Sequence, residues 1–202
     1  MPIKPGGGGG ATSGDDTLVG TATDNIIRGL GGNDTISGLG GNDTLAGNSG
    51  GDTIDGGDGN DTLFSGDVSP LIGTGSPLVL DRGTEVDTLV GGDGADTIFA
   101  GYGDNVDGGA DGYGGDKLYI SFQGATGGIQ FDAHLASQTI GGGTITGIEA
   151  VSWVEGSNYG DYIDVGNDIF GANSDFTQVY GMAGNDTLIA GYYTQVLGGG
   201  RQ

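Results

Sequence analysis

The sequence predicts an all-β protein, a right-handed parallel β-roll (β-solenoid) with irregular β coils between repeat blocks. Three observations carry that prediction. A nine-residue period runs without a slip from Ala11 to Phe64, as ATSGDDTLV, GTATDNIIR, GLGGNDTIS, GLGGNDTLA, GNSGGDTID and GGDGNDTLF. Each nonamer opens on a Gly-rich hexamer, and all but the second end that hexamer in Asp. Each nonamer also places one aliphatic residue at its eighth position. A fixed short period of this kind marks stacked repeats rather than a folded-back globule.

The sixth positions are Asp16, Asn25, Asp34, Asp43, Asp52 and Asp61, and the eighth are Leu18, Ile27, Ile36, Leu45, Ile54 and Leu63. The glycines suit left-handed and close-approach backbone. A strand of about three residues then follows each turn. Side chains alternate faces along it, so only its central, eighth-position residue points inward. Two nonamers form one coil, which stacks Asp16 over Asp34, Asp34 over Asp52 and Asp43 over Asp61.

Stacked strands lie about 4.8 Å apart. Carboxylates at that spacing repel by about 1 kcal/mol in water, and by more where solvent is thin. Two buried aliphatic side chains per coil fall short of the entropy lost in ordering eighteen Gly-rich residues. The bare array is therefore expected to be unfolded. A cation between the turns reverses the repulsion. The turns offer carboxylates and backbone carbonyls, so the ion must be hard and oxygen-loving. Calcium fits that set better than magnesium, which demands a stricter octahedron.

GLGGNDTIS, GLGGNDTLA and GGDGNDTLF resemble the GGxGxDxUx repeat of RTX (repeats-in-toxin) proteins. The resemblance implies several calcium ions, held by sixth-position Asp and neighbouring backbone carbonyls. The candidate carboxylates are Asp16, Asp34, Asp43, Asp52, Asp61, Asp87, Asp96, Asp116, Asp161 and Asp186. The candidate turn positions are Gly29, Gly31, Gly38, Gly40, Gly47, Gly56, Asp58, Gly91, Asp93 and Gly181. Asn25 replaces Asp in the second row and implies a weaker site. The resemblance further implies type I secretion from a bacterium, with folding on export and an extracellular or cell-surface location.

Along the chain, residues 1–10 read as a flexible Gly-rich leader and 11–66 as the first repeat block. Residues 67–82, with Pro70 and Pro77, read as an insertion loop with one strand at most. The repeats resume over 83–119, with Asp87, Asp96 and Asp116 in the sixth position and Leu89, Ile98 and Leu118 in the eighth. The segment AGYGDNVD (100–107) is one residue short and is expected to put Asn105 in the ligand slot and Val106 inward. Residues 120–155 alternate apolar and polar with Gly breaks, which reads as degenerate β coils on the same solenoid. Residues 156–202 form a third block around Asp161 and Asp186. The stretch 181–199 repeats 91–109, and the chain then stops in mid-turn, the expectation being a fragment of a longer protein.

The chain has 202 residues, 50 of them Gly, no Cys, and a formal net charge of −22. That charge disfavours nucleic acid and anionic membranes as partners. No apolar run is long enough to span a bilayer. Without disulfides, metal is the candidate stabiliser.

Catalytic readings are weak. The G-x-S-x-G match at Gly47–Gly51 lacks the long strand and helix of a nucleophile elbow. The sequons at Asn33, Asn42, Asn60 and Asn185 read as turn residues. His134 is the sole histidine and cannot build a zinc site without Cys or further His. Trp153, Tyr159 and Tyr162 suit packing better than a sugar platform. The seventh-position Thr residues could form an ice-binding column, but the third position is not one residue type, which argues against it. The segment is thus read as non-enzymatic. The parent is left open between an extracellular enzyme (metalloprotease, lipase or alginate epimerase type) and a large surface adhesin, its protein or polysaccharide partner undefined.

Overall fold

In a computed structural model the described residues are 10–66, 81–111, 115–166, 177–191 and 194–197. The leader (1–9), most of the insertion (67–80) and the final residues (198–202) lie outside them. The described strands are β1 (Thr17–Thr21), β2 (Ile26–Gly31), β3 (Thr35–Gly40), β4 (Thr44–Ser49), β5 (Thr53–Asp58), β6 (Thr62–Phe64), β7 (Thr88–Gly94), β8 (Thr97–Ala100) and β9 (Asn105–Asp111). They continue as β10 (Lys117–Ser121), β11 (Gln130–Asp132), β12 (Ser137–Ile140), β13 (Gly143–Thr146), β14 (Ala150–Glu155), β15 (Tyr162–Val165), β16 (Thr177–Tyr180), β17 (Thr187–Ala190) and β18 (Thr194–Leu197). No helix occurs among the described residues.

From β1 to β10 successive strands alternate between two sheets, as a two-strand coil requires. One sheet runs β1-β3-β5-β7-β9-β13-β12, the other β18-β16-β14-β10-β8-β6-β4-β2. Pairing is parallel from β1 to β10, and Leu18 aligns with Ile36 and Ile36 with Ile54, a pitch of eighteen residues. Ile54 then aligns with Leu89 across the insertion. The repeats thus resume in register after it.

β1 to β5 are longer than three residues, because they run past the aliphatic position into the next turn. β3 covers positions seven to nine and the first three of the next row. Its bend falls at position two, where Leu39 has φ 76° and Leu30 in β2 has φ 82°. An L residue there costs about 1 kcal/mol. Position four is also left-handed, as at Gly32, φ +102°, whose Cβ would strike the backbone of Gly14 and Asp15.

The core is the column of eighth-position residues. Leu18, Ile36, Ile54, Leu89 and Val106 from one sheet face Ile27, Leu45, Leu63, Ile98 and Leu118 from the other, all buried in one cluster. Position nine points the other way. There Phe64 stacks on Phe99 (4.5 Å) and Phe99 on Tyr119 (4.6 Å), in a separate cluster. Trp153 stacks on Tyr180 (4.4 Å), while Tyr159 and Tyr162 stay exposed. This supports packing for the tryptophan rather than a three-ring platform.

Over 120–155 the pattern changes. β14 adds to β10 with a bulge after Leu118, and β13 adds to β9. β12 turns back against β13 as the one antiparallel pair among the described strands. β11, β15 and β17 form a third, parallel sheet.

Candidate metal centre

The sixth positions form two columns, one at each edge of the roll. In the first, the backbone N–H of Asp16 donates to Oδ1 of Asp34 (2.8 Å), Asp34 to Asp52 (2.7 Å), Asp52 to Asp87 (2.6 Å) and Asp87 to Asp104 (3.0 Å). In the second, Asn25 donates to Asp43 (2.6 Å), Asp43 to Asp61, Asp61 to Asp96 and Asp96 to Asp116 (each 2.7 Å). Glu149 extends this column by accepting the N–H of Asp116 at 2.9 Å. A shorter third run joins Ile129 to Asp161 and Asp161 to Asp186.

Each carboxylate therefore has one oxygen tied to the coil before it. The other is a different matter. Oδ2 of Asp34, Asp43, Asp52, Asp61, Asp87 and Asp96 is buried with no hydrogen-bond partner. A buried charge without a partner costs several kcal/mol. Burial drives the pKa of these groups up, the bond from the preceding amide opposes it, and neighbouring carboxylates add to the rise. Asp61 and Asp96 reach about 6 and Asp87 about 8. Asp34, Asp43 and Asp52 move in the same direction.

The position-one glycines make room for these oxygens. A Cβ on Gly38 would meet Oδ2 of Asp43 and the carbonyl of Gly56, and one on Gly56 would meet Oδ2 of Asp61 and the carbonyl of Gly91. Gly29 and Gly91 repeat the arrangement with Asp34 and Asp96, and Gly47 faces Asp52. Gly181 faces Asp186 in the same way, and Gly108 faces Asp116 with the carbonyl of Gly147. Carboxylate and carbonyl oxygens of successive coils thus converge where no donor stands. That donor set, all oxygen and net negative, fits a hard divalent cation.

Position three is different. A Cβ on Gly31 or Gly40 would make only ordinary contacts, and Asp58 and Asp93 are exposed. Asp16 and Asp161 differ from the array as well. Oδ2 of Asp16 accepts from Thr12, and Oδ2 of Asp161 accepts the N–H of Ser157. Asn25 is satisfied within its own turn by Thr21.

One assignment is corrected. Asn105 does not hold the ligand slot, because Asn105 pairs with Thr88 at position seven and Asp104 takes position six. The missing residue comes out of the turn, not the Asp-x-aliphatic triplet, and Asp104-Asn105-Val106 carried that signal. Glu149 is the other residue that counting missed, since its row lacks the Gly-rich hexamer. Position five was also passed over. The N–H of Asn33 donates to Asp15 (2.7 Å), Gly51 to Oδ1 of Asn33 (2.9 Å) and Ala95 to Oδ1 of Asn60 (2.9 Å). Its recurring Asn or Asp was legible in the rows.

His134 lies apart from both columns. Nδ1 sits 2.8 Å from Oδ1 of Asp132 and 3.9 Å from Oδ1 of Asp164, and Nε2 faces the Gly166 carbonyl.

These features define a calcium-binding β-roll, built by stacking oxygen-lined turns. The RTX calcium-binding nonapeptide repeat family matches residues 10–45, 37–68, 82–112 and 172–192, over half of the chain. The chain belongs to that family, whose repeat is a structural calcium-binding element and not a catalytic one. Neither a curated protein nor a solved structure matches the chain.

Proposed function

We propose that this chain is a calcium-switched folding module of a secreted bacterial protein, kept unfolded during type I export and folded by extracellular calcium. The observation that carries the reading is the set of buried Oδ2 atoms without a donor, from Asp34 to Asp96. In the calcium-free roll each carries a penalty, either as a buried charge without a partner or as a carboxyl held neutral against its ordinary ionisation. Calcium bound to the roll and not to the coil converts that penalty into stability, so folding follows the ion's concentration.

Asp34, Asp43, Asp52, Asp61, Asp87, Asp96 and Asp116 would supply carboxylate oxygens. Carbonyls of the position-one glycines would supply the rest. Asp16, at the end of the first column, and Asp161 and Asp186, in the short third run, would bind more weakly. Extracellular modules of this class respond at roughly 10⁻⁴–10⁻³ M calcium, above cytosolic levels, which suits a switch thrown after export.

The test is far-UV circular dichroism across a calcium titration. Coil without the ion and β structure at millimolar calcium are expected. Asp43→Ala combined with Asp61→Ala should raise the midpoint several-fold. A spectrum indifferent to both sinks the reading.

A further inference from the structure

The insertion returns to the roll at a point where a third carboxylate joins the first column. Asp81 belongs to no repeat row. One oxygen of each of Asp81, Asp87 and Asp104 lies within 4.8 Å of the others. Asp87 is 1 % exposed, and its Oδ2 is buried without a hydrogen-bond partner. Asp104 is buried too.

The cluster is fixed in place. Oδ1 of Asp81 accepts the N–H of Gly83 (2.7 Å), and Oδ2 accepts Ser65 Oγ (3.1 Å). The next residue, Arg82, grips Glu155 of β14 with two bonds of 3.0 and 2.7 Å, which commits its charge there. Asp104 is held by the N–H groups of Asp87 and Gly101. Burial first, then the charges of Asp104, Asp52 and Asp81, push Asp87 up to about 8.

We propose that Asp81 adds a third carboxylate to Asp87 and Asp104 of the first column, making one calcium site that is tighter than the other repeat sites. The inference rests on the calcium reading above. Affinity in oxygen sites rises with ligand charge count and rigidity. A repeat turn offers one sixth-position carboxylate per coil, whereas here a third is added from outside the period, on a backbone clamped by Arg82. The site would load first as calcium rises. It would pin the end of the insertion and restore the register between β5 and β7 before the weaker turns fill.

The test folds the full chain at millimolar calcium, where the roll exists, and counts the ions that survive rapid passage over a chelating resin. Wild type should retain one ion per chain. Asp81→Asn, which removes a charge but no volume, should release it at least tenfold faster, while its millimolar midpoint shifts less than twofold. Asp104→Asn should release the same ion. No ion retained by folded wild type overturns the proposal, and that count stands even where a variant does not fold. An ion retained equally by wild type and Asp81→Asn also overturns it. If the slow ion persists while the fold ignores millimolar calcium, the folding switch fails and this site survives.

Discussion

Oδ1 of Asp52 accepts the N–H of Asp34 at 2.7 Å, while Oδ2 of the same side chain is buried without a donor. One oxygen knits two coils together and the other pushes them apart unless a cation intervenes. Asp52→Asn keeps the first role and removes the charge behind the second. Its calcium midpoint should rise several-fold, while in chelator it should be more compact than wild type. Size-exclusion elution and a calcium titration measure the two effects. A change of the same sign in both would contradict the split.

The glycines are not equivalent. Gly38→Ala drives a methyl group onto Oδ2 of Asp43 and the Gly56 carbonyl, both fixed by the stack. The cost should be about 2–3 kcal/mol, as for overpacking in a closed core. Gly40→Ala, two residues on, meets nothing nearer than 3.7 Å and should stay within about 0.5 kcal/mol of wild type. Denaturant melts at saturating calcium compare them directly.

Acid should act oppositely on the two states. In the calcium-free roll Asp61 and Asp96 are raised to about 6 and Asp87 to about 8. A raised carboxyl favours folding while protonated. That contribution is full below the ordinary value of 3.8 and is lost as pH climbs through 6 to 8. The chelated chain should therefore be more ordered at pH 5 than at pH 8. Calcium needs the ionised form, so its midpoint should rise as pH falls over the same range. Circular dichroism at both pH values, with chelator and with calcium, checks both trends.

The roll was legible because its period is nine, and Leu18, Ile36 and Ile54 fall inward with no competing pattern. The acidic columns were legible for the same reason. Apart from the position-five residues, what escaped notice lies where the spacing changes. Asp104 was missed because the row lost a residue from its turn, and a count from the row's start then pointed to Asn105. Glu149 reaches its place by a longer side chain on an irregular coil, which no nonamer template describes. Asp81 lies in the insertion, outside any repeat row, and joins Asp87 and Asp104 only through the fold. The antiparallel pair β12–β13 depends on Gly141 and Gly142, both at positive φ. The strands' own alternation does not specify direction.

His134 should give a stabilising contact that fades in base. Partial burial opposes its charge. The bond to Asp132, the Gly166 carbonyl and the charges of Asp164 and Asp132 outweigh that and raise its pKa above 6.5. Its contribution is therefore complete below 6.5 and is lost as pH rises through the higher folded value. At saturating calcium, the gap in melting temperature between wild type and His134→Gln should be widest near pH 6 and should narrow toward pH 8. A gap constant with pH would assign His134 a packing role alone.

Hydrogen exchange at the backbone amides of Asn25, Asp34, Asp43 and Asp52 reads the columns themselves, because each donates to the carboxylate one coil on. With millimolar calcium these amides should be strongly protected, and after chelation they should exchange at the rate of an unstructured chain. Equal protection in both conditions would show that the stack holds without the ion, and would contradict a calcium-built fold.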